Sequence, residues 1–222
     1  MSTKDDFLDA AMNHALFDGW SQATIDAARA DLGLSAQAVK IMFPKGPPDL
    51  ALAYHRRLDA QMVAALRAAD LGEMRFRDRI THAVRLRLEI ADKELVRRGM
   101  SLFALPQHAA AGARALWETA DEIWTVLGDT SRDINWYTKR SSLSAVFSAT
   151  ALYWLGDESE GSARTWEFLD RRIENVMQFE KWKAKVTQNP VVDTVMKGPG
   201  RVLDMVKAPG RVRPGYPSGR GR

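Results

Sequence analysis

The sequence holds no cysteine among its 222 residues, which excludes disulfides, thiolate metal sites and a catalytic thiol together. No window approaches the roughly 18 apolar residues of a membrane-spanning helix. Met1 to Asp6 carries charges of both signs and leads directly into a helical pattern at Phe7, unlike a signal or transit peptide. The chain is therefore expected to stay in a cytoplasm. Strand-like alternation and hairpin signals are missing as well. The histidines, His14, His55, His82 and His108, stand at no HExxH spacing and form no Glu-x-x-His pair. They read as surface or polar-core residues. The acidic run Gly156 to Gly161 is no nucleophile elbow and reads as an ordinary interhelical loop. The Gly-x-Gly at Gly198-Pro199-Gly200 follows no strand, so a dinucleotide fingerprint fails. No catalytic residue, metal ligand or cofactor is expected, and the chain reads as non-enzymatic.

What is present is helix. The hydrophobic fraction of 45% is ordinary for a globular protein. The length suits a body of roughly 180 residues plus a tail. Phe7, Leu8, Ala11 and Ala15 mark a first helix. Ser21 caps a second through Ile25, Ala28 and Leu32, which Gly33 ends, and Ser35 caps a short third through Val39 and Met42. Phe43 to Pro48 is a turn, and Asp49 is the expected cap of the next helix, with Leu52, Leu58, Met62 and Leu66. After Gly72, Phe76, Ile80, Val84, Leu88 and Leu95 recur at helical spacing. Arg75, Arg79, Arg85 and Arg87 are read as that helix's solvated face. Helices over about 108–127, 133–155 and 161–185 follow. The fold class is all-α, with nine or ten helices.

Charge divides the chain. Residues 181–222 hold ten Lys or Arg against Asp193 and Asp204, a surplus of eight, so the preceding 180 residues carry −4 of the chain's net +4. A mildly acidic body is ill suited to grip nucleic acid, while the basic tail suits an anionic surface. The tail repeats itself at a spacing of ten: Val195 to Val202 aligns with Met205 to Val212, each unit an apolar stretch, a basic residue, a Pro-Gly break and a second basic residue. Val192, Val195, Met196, Val202, Leu203 and Val206 are expected to insert shallowly into an anionic membrane surface, with Lys197, Arg201 and Lys207 holding lipid headgroups. Residues 214–222, rich in Pro, Gly, Ser and Arg, are expected to be disordered. The expected organisation is a helix-turn-helix-like module over 1–47, a helical body over 48–185, an amphipathic basic segment over 186–213 and a tail over 214–222.

Ala23 to Leu50 reads as a helix, a glycine turn, a capped short helix and a Phe-Pro-Lys-Gly exit. Gly33, Leu34, Ser35, Phe43, Lys45 and Leu50 fit the pattern of TetR-type regulators, which the segment resembles. It departs where DNA would be read. Val39-Lys40-Ile41-Met42 replaces the usual Thr-Leu-Tyr run, and Asp26 and Asp31 on the preceding helix repel phosphate. The resemblance implies a TetR-like fold with a degenerate DNA-reading module and no nucleic-acid partner. A ligand-responsive transcription regulator stands as the alternative.

A second resemblance covers roughly residues 10–180. Gly19-Trp20, Phe43-Pro44-x-Gly46, Arg77-x-Arg79-Ile80 with Ala83-Val84, Asn135 to Arg140, and Thr165-Trp166-x-Phe168-Leu169 stand in the order found in the Coq-nine family of ubiquinone biosynthesis. That resemblance implies a lipid-binding accessory protein, a homodimer, that extracts or presents an isoprenoid quinone precursor to the membrane-associated demethoxyubiquinone hydroxylase. Its implied hydroxylase surface maps onto Asp121, Ile123, Val126, Asp133, Trp136 and Tyr137. The apolar residues expected to hold the isoprenoid or a phospholipid are Met62, Leu66, Ile80, Val84, Leu88, Met100, Leu116 and Phe147. The small-residue stripe Ser141, Ala145 and Ser148, with Ile173 and Met177, is the expected dimer face. With no presequence, a bacterial member on the inner face of the inner membrane is expected.

Overall fold

Thr3 opens the structure with a reciprocal cap: its hydroxyl accepts from the Asp6 amide at 3.1 Å, and the Asp6 carboxylate accepts from the Thr3 amide at 2.6 Å. The computed structural model describes residues 3–187, which form nine α-helices, one short 3₁₀ turn and no strand. Helix α1 (Lys4–Asp18) precedes α2 (Gln22–Asp31) and α3 (Ala36–Met42). Ser21 and Ser35 cap α2 and α3 as their sequence positions suggest, and Gly33 between them takes φ +61°, the left-handed turn the sequence calls for.

Helix α4 (Pro47–Ala68) starts two residues before the expected cap. Gly46 is its N-cap at φ +68°, Pro47 begins the first turn, and Asp49 sits within that turn, where its carboxylate accepts from the Lys45 amide at 2.8 Å. The Phe76–Leu95 run is two helices, not one: α5 (Phe76–Glu89) and α6 (Lys93–Phe103). The cause is Asp92, whose carboxylate accepts from the Glu94 and Leu95 amides at 2.8 and 3.0 Å and so restarts the helix. Pro106 starts α7 (Pro106–Val126); α8 (Ile134–Leu155), the 3₁₀ turn Glu160–Ser162 and α9 (Ala163–Thr187) complete the described chain.

The acidic loop before α9 is structural. Asp157 is buried and accepts from the Ser159 amide and hydroxyl at 2.9 and 2.7 Å, and from those of Thr165 at 2.9 and 2.6 Å. Those bonds, Thr165 foremost, hold its carboxyl well below the usual carboxylate range.

Helix α4 carries two cores. Its first half packs Leu50, Tyr54 and Leu58 with Phe7, Trp20 and Phe43. Its second half packs Met62 and Leu66 with Ile80, Val84 and Leu88 of α5, Ile123 of α7, Phe147 of α8 and Leu169 of α9. Each large apolar side chain buried this way contributes about 1.5–3 kcal/mol. Among the described residues no helix is long and apolar enough to cross a membrane. The nine membrane-contacting residues expected from Val192 to Lys207, and the segments over 186–213 and 214–222 past Thr187, lie outside the described residues.

Candidate functional site

The N-terminal half of α7 reads Ala109-Ala110-Ala111-Gly112-Ala113. Such small side chains fill little of the space they face, and a cavity of about 400 Å³ opens beside them, within the usual range of small-molecule sites. Helices α4 to α8 supply its wall, with Trp20 from the segment between α1 and α2. Gly112 permits the close approach of α6: a Cβ there would stand 2.7 Å from Phe103 Cβ. Trp20 is pinned by its indole N–H, which donates to the Leu95 carbonyl at 3.0 Å.

Of the eight residues expected to hold lipid, Leu88, Met100, Leu116 and Phe147 line this cavity. Met62, Leu66, Ile80 and Val84 are packed in the closed core and do not line it. Sequence reasoning missed Trp20, Tyr54, Gly99 and Phe103 in the wall. The Ala-Gly run of α7 was the available signal, since periodicity marks where large apolar residues go and says nothing of where they leave space.

One wall of the cavity is ionic. Arg87, assigned by sequence to a solvated face, is 2% exposed. Its Nε donates to Asp59 Oδ1 at 2.6 Å, and its Nη2 donates to the His55 carbonyl at 3.1 Å and lies 3.3 Å from His55 Nδ1. With Nδ1 accepting from Arg87, the Nε2 proton of His55 is left to donate to Thr119 Oγ1 at 2.8 Å and the Ala115 carbonyl at 3.2 Å. The Thr119 hydroxyl then donates to the Asp59 carboxylate at 3.0 Å. Burial pushes the His55 imidazole below its ordinary value; nearby Asp59 opposes that shift and Arg87 adds to it, and the neutral form prevails. The sequence carried a signal here too. Arg87 falls three residues after Val84, and Asp59 three before Met62, each on an otherwise apolar stripe.

A second cluster joins α7 to α8. Arg140 is fully buried; its Nε donates to Asp121 Oδ1 at 2.5 Å and its Nη1 to Asp129 Oδ2 at 3.0 Å. Lys139 donates to the other Asp129 oxygen at 2.8 Å. Burial pushes the Asp129 carboxyl up, but the bonds from Lys139, Ser131 and Arg140 outweigh it and hold the group well below the usual range. The Arg140 guanidinium lies 4.1 Å from the Trp136 ring centre. Trp136 meets Tyr137 edge-on at 4.8 Å and Trp117 of α7 at 5.7 Å.

Of the expected hydroxylase-facing set, Trp136 and Tyr137 are half-buried in that aromatic group, Asp121 holds Arg140, and Asp133 caps α8 through the Asn135 amide. Val126 is partly buried. Ile123 is corrected: at 0% exposure it belongs to the core and presents nothing to a partner. Trp117 was missed. On the expected dimer face, Ser141 and Ala145 are exposed on α8. Ser148 instead lines the cavity, Ile173 is buried in its own chain's core, and Met177 packs against that core. Those three are withdrawn from the face, because intrachain packing already uses them. Among the described residues no group of three His, Asp or Glu side chains could hold a metal ion.

The arrangement of α1–α9 is that of the TetR-like helical proteins. The crystal structure of a TetR transcriptional regulator from Nitrosomonas europaea superposes with a TM-score of 0.59 at 19% identity, covering 77% of this chain and 95% of that one, a likeness of fold. Residues 109–180 match the COQ9 family, and the chain is similar in sequence to COQ9 proteins. It is 35% identical over 179 residues to the mitochondrial ubiquinone biosynthesis protein COQ9 of Drosophila melanogaster, covering 78% of this chain and 55% of that protein. It is 30% identical over 181 residues to the protein of the same name from Homo sapiens, covering 78% and 57%. The chain thus spans somewhat over half the length of these relatives.

Proposed function

We propose that the chain is a non-enzymatic accessory protein of ubiquinone biosynthesis that binds an isoprenoid quinone precursor or phospholipid in the α4–α8 cavity. It presents that lipid to a membrane-associated demethoxyubiquinone hydroxylase. The observation that carries the reading is the cavity itself, large and mostly apolar, in a chain similar in sequence to COQ9 proteins. Holding a polyprenyl chain requires apolar walls and no reactive group. The half-buried Trp117–Trp136–Tyr137 edge over the buried Arg140 supports a docking surface for the hydroxylase, since aromatic groups dominate protein interfaces. The small exposed face of Ser141 and Ala145, continued by Leu152 at 60% exposure, supports a homodimer contact through α8.

Nucleic acid is disfavoured as a partner. Helix α3 offers Lys40 as its one cation, and beside it Ile41 is 71% exposed, where a phosphate contact would need a polar group. The basic residues of 181–222 and the apolar residues among them support peripheral contact with an anionic membrane, at the inner face of the bacterial inner membrane. The test is transfer of a polyprenyl quinone from donor to acceptor vesicles containing anionic lipid. Adding the full chain should raise the transfer rate. An unchanged rate would sink the carrier reading.

A further inference from the structure

The cavity is mostly apolar, yet a guanidinium stands in its wall. Arg87 has five N–H donors. Its Nε and Nη2 are engaged by Asp59 and His55. Its Nη1 makes no hydrogen bond among the described residues, although Arg87 is 2% exposed and lines the cavity. Phe147, also in the wall, lies with its ring centre 5.8 Å from the guanidinium carbon. An N–H donor left without a protein acceptor beside a mostly apolar wall gains a hydrogen bond when a ligand oxygen arrives.

Charge narrows which acceptor that is. Asp59 already neutralises Arg87, and Thr119 saturates Asp59 further. His55 is consumed by its bonds to Arg87, Thr119 and Ala115 and offers no second cation. An anionic headgroup would therefore bring an uncompensated charge into a low-dielectric wall, which is strongly unfavourable. A neutral carbonyl-type oxygen would complete the guanidinium's hydrogen bonding at no such cost.

We propose that Arg87, held in place by Asp59 and His55, is the polar anchor of the cavity and selects uncharged amphiphiles bearing a carbonyl-type oxygen over both pure hydrocarbon and carboxylate. This rests on the lipid-binding reading of the same cavity and adds the chemistry of the ligand's polar end. Anchor and apolar walls together fix one orientation: the oxygen at the Arg87 wall, the tail along Met100 and Leu116.

The test uses the full chain, stripped of lipid, with the neutral dye N-phenyl-1-naphthylamine as reporter. Three competitors of one chain length displace it: 2-tridecanone, tridecane and tridecanoate. The ketone is expected to bind about tenfold more tightly than the alkane, the return from one hydrogen bond to a charged donor. The carboxylate should fall below the ketone. In Arg87→Met with Asp59→Leu, which removes both charges and avoids stranding one, the ketone and alkane affinities should converge. Equal ketone and alkane affinities in the wild type would overturn the anchor while leaving an apolar cavity standing. A carboxylate that bound tightest would overturn the selection for neutral ligands. Binding of no competitor and no dye would overturn both the anchor and the carrier reading. Should the double variant not fold, the wild-type series decides alone.

Discussion

The Arg87 guanidinium and the Asp59 carboxylate meet at 2.6 Å between α5 and α4, with side chains 2% and 7% exposed. Removing one partner strands the other in the interior. Arg87→Met alone should cost about 3–5 kcal/mol of unfolding free energy. The double variant with Asp59→Leu should cost distinctly less, because no charge is left without a partner. Urea denaturation of the two variants checks this; equal losses would show that the pair is not energetically coupled.

His55 makes stability depend on pH in one direction. Its folded value lies below the ordinary 6.5 because burial disfavours the imidazolium. The unfolded chain therefore takes up the proton first as pH falls. The contribution is complete above about pH 6.5 and is lost progressively between that value and the lower folded one. Urea midpoints should fall between pH 7.5 and 5.5 for the wild type, and less for His55→Gln. Identical slopes for the two proteins would refute the assignment.

Gly112 is where α7 comes closest to α6. Gly112→Ala puts a methyl group 2.7 Å from Phe103 Cβ, which no rotamer change relieves. The overpacking should cost about 1–3 kcal/mol despite alanine's better helix propensity. It should also weaken binding of the neutral dye by shifting the cavity wall. A thermal midpoint at or above the wild type would contradict the close approach.

Asp157 organises the start of α9 with four hydrogen bonds to Ser159 and Thr165. Asp157→Ala should destabilise the protein by about 1–2 kcal/mol, at the upper end of cap losses. Asp157→Asn should recover part of that. Circular dichroism melting separates the three proteins.

Trp136 tests the hydroxylase surface. Trp136→Ala removes the ring stacked over Arg140 and one of the three rings of the aromatic edge. Its affinity for a demethoxyubiquinone hydroxylase in a biosensor measurement should drop at least tenfold, the loss typical of an interface hot spot at about 2 kcal/mol. Vesicle transfer of quinone should persist. Undiminished hydroxylase binding would show that this aromatic edge is not the hydroxylase contact.

Much of the frame was legible because helix boundaries are local chemistry. Ser21, Gly33 and Ser35 announce α2 and α3 through capping and a left-handed turn, and the structure uses each of them. Asp92 shows the limit. An apolar period running through Leu95 hides a restart that depends on one carboxylate reaching two amides. The site was harder to read. Met62, Leu66, Ile80 and Val84 satisfy the same periodicity as Leu88, yet only Leu88 borders space. A cavity is set by what neighbouring helices fail to fill, here the Ala-Gly run of α7, and that relation is tertiary. Arg87 misled for a related reason: an arginine reads as solvated until a carboxylate from another helix, Asp59, is found opposite it.

The central claim is that the α4–α8 cavity holds a lipid. Mass spectrometry of organic extracts from the full chain, purified without detergent, addresses it most directly. Isoprenoid quinone or phospholipid is expected at near-stoichiometric amounts, reduced when Leu116→Trp fills the cavity. A lipid-free chain that instead retained a specific DNA fragment would contradict it and return attention to α2 and α3.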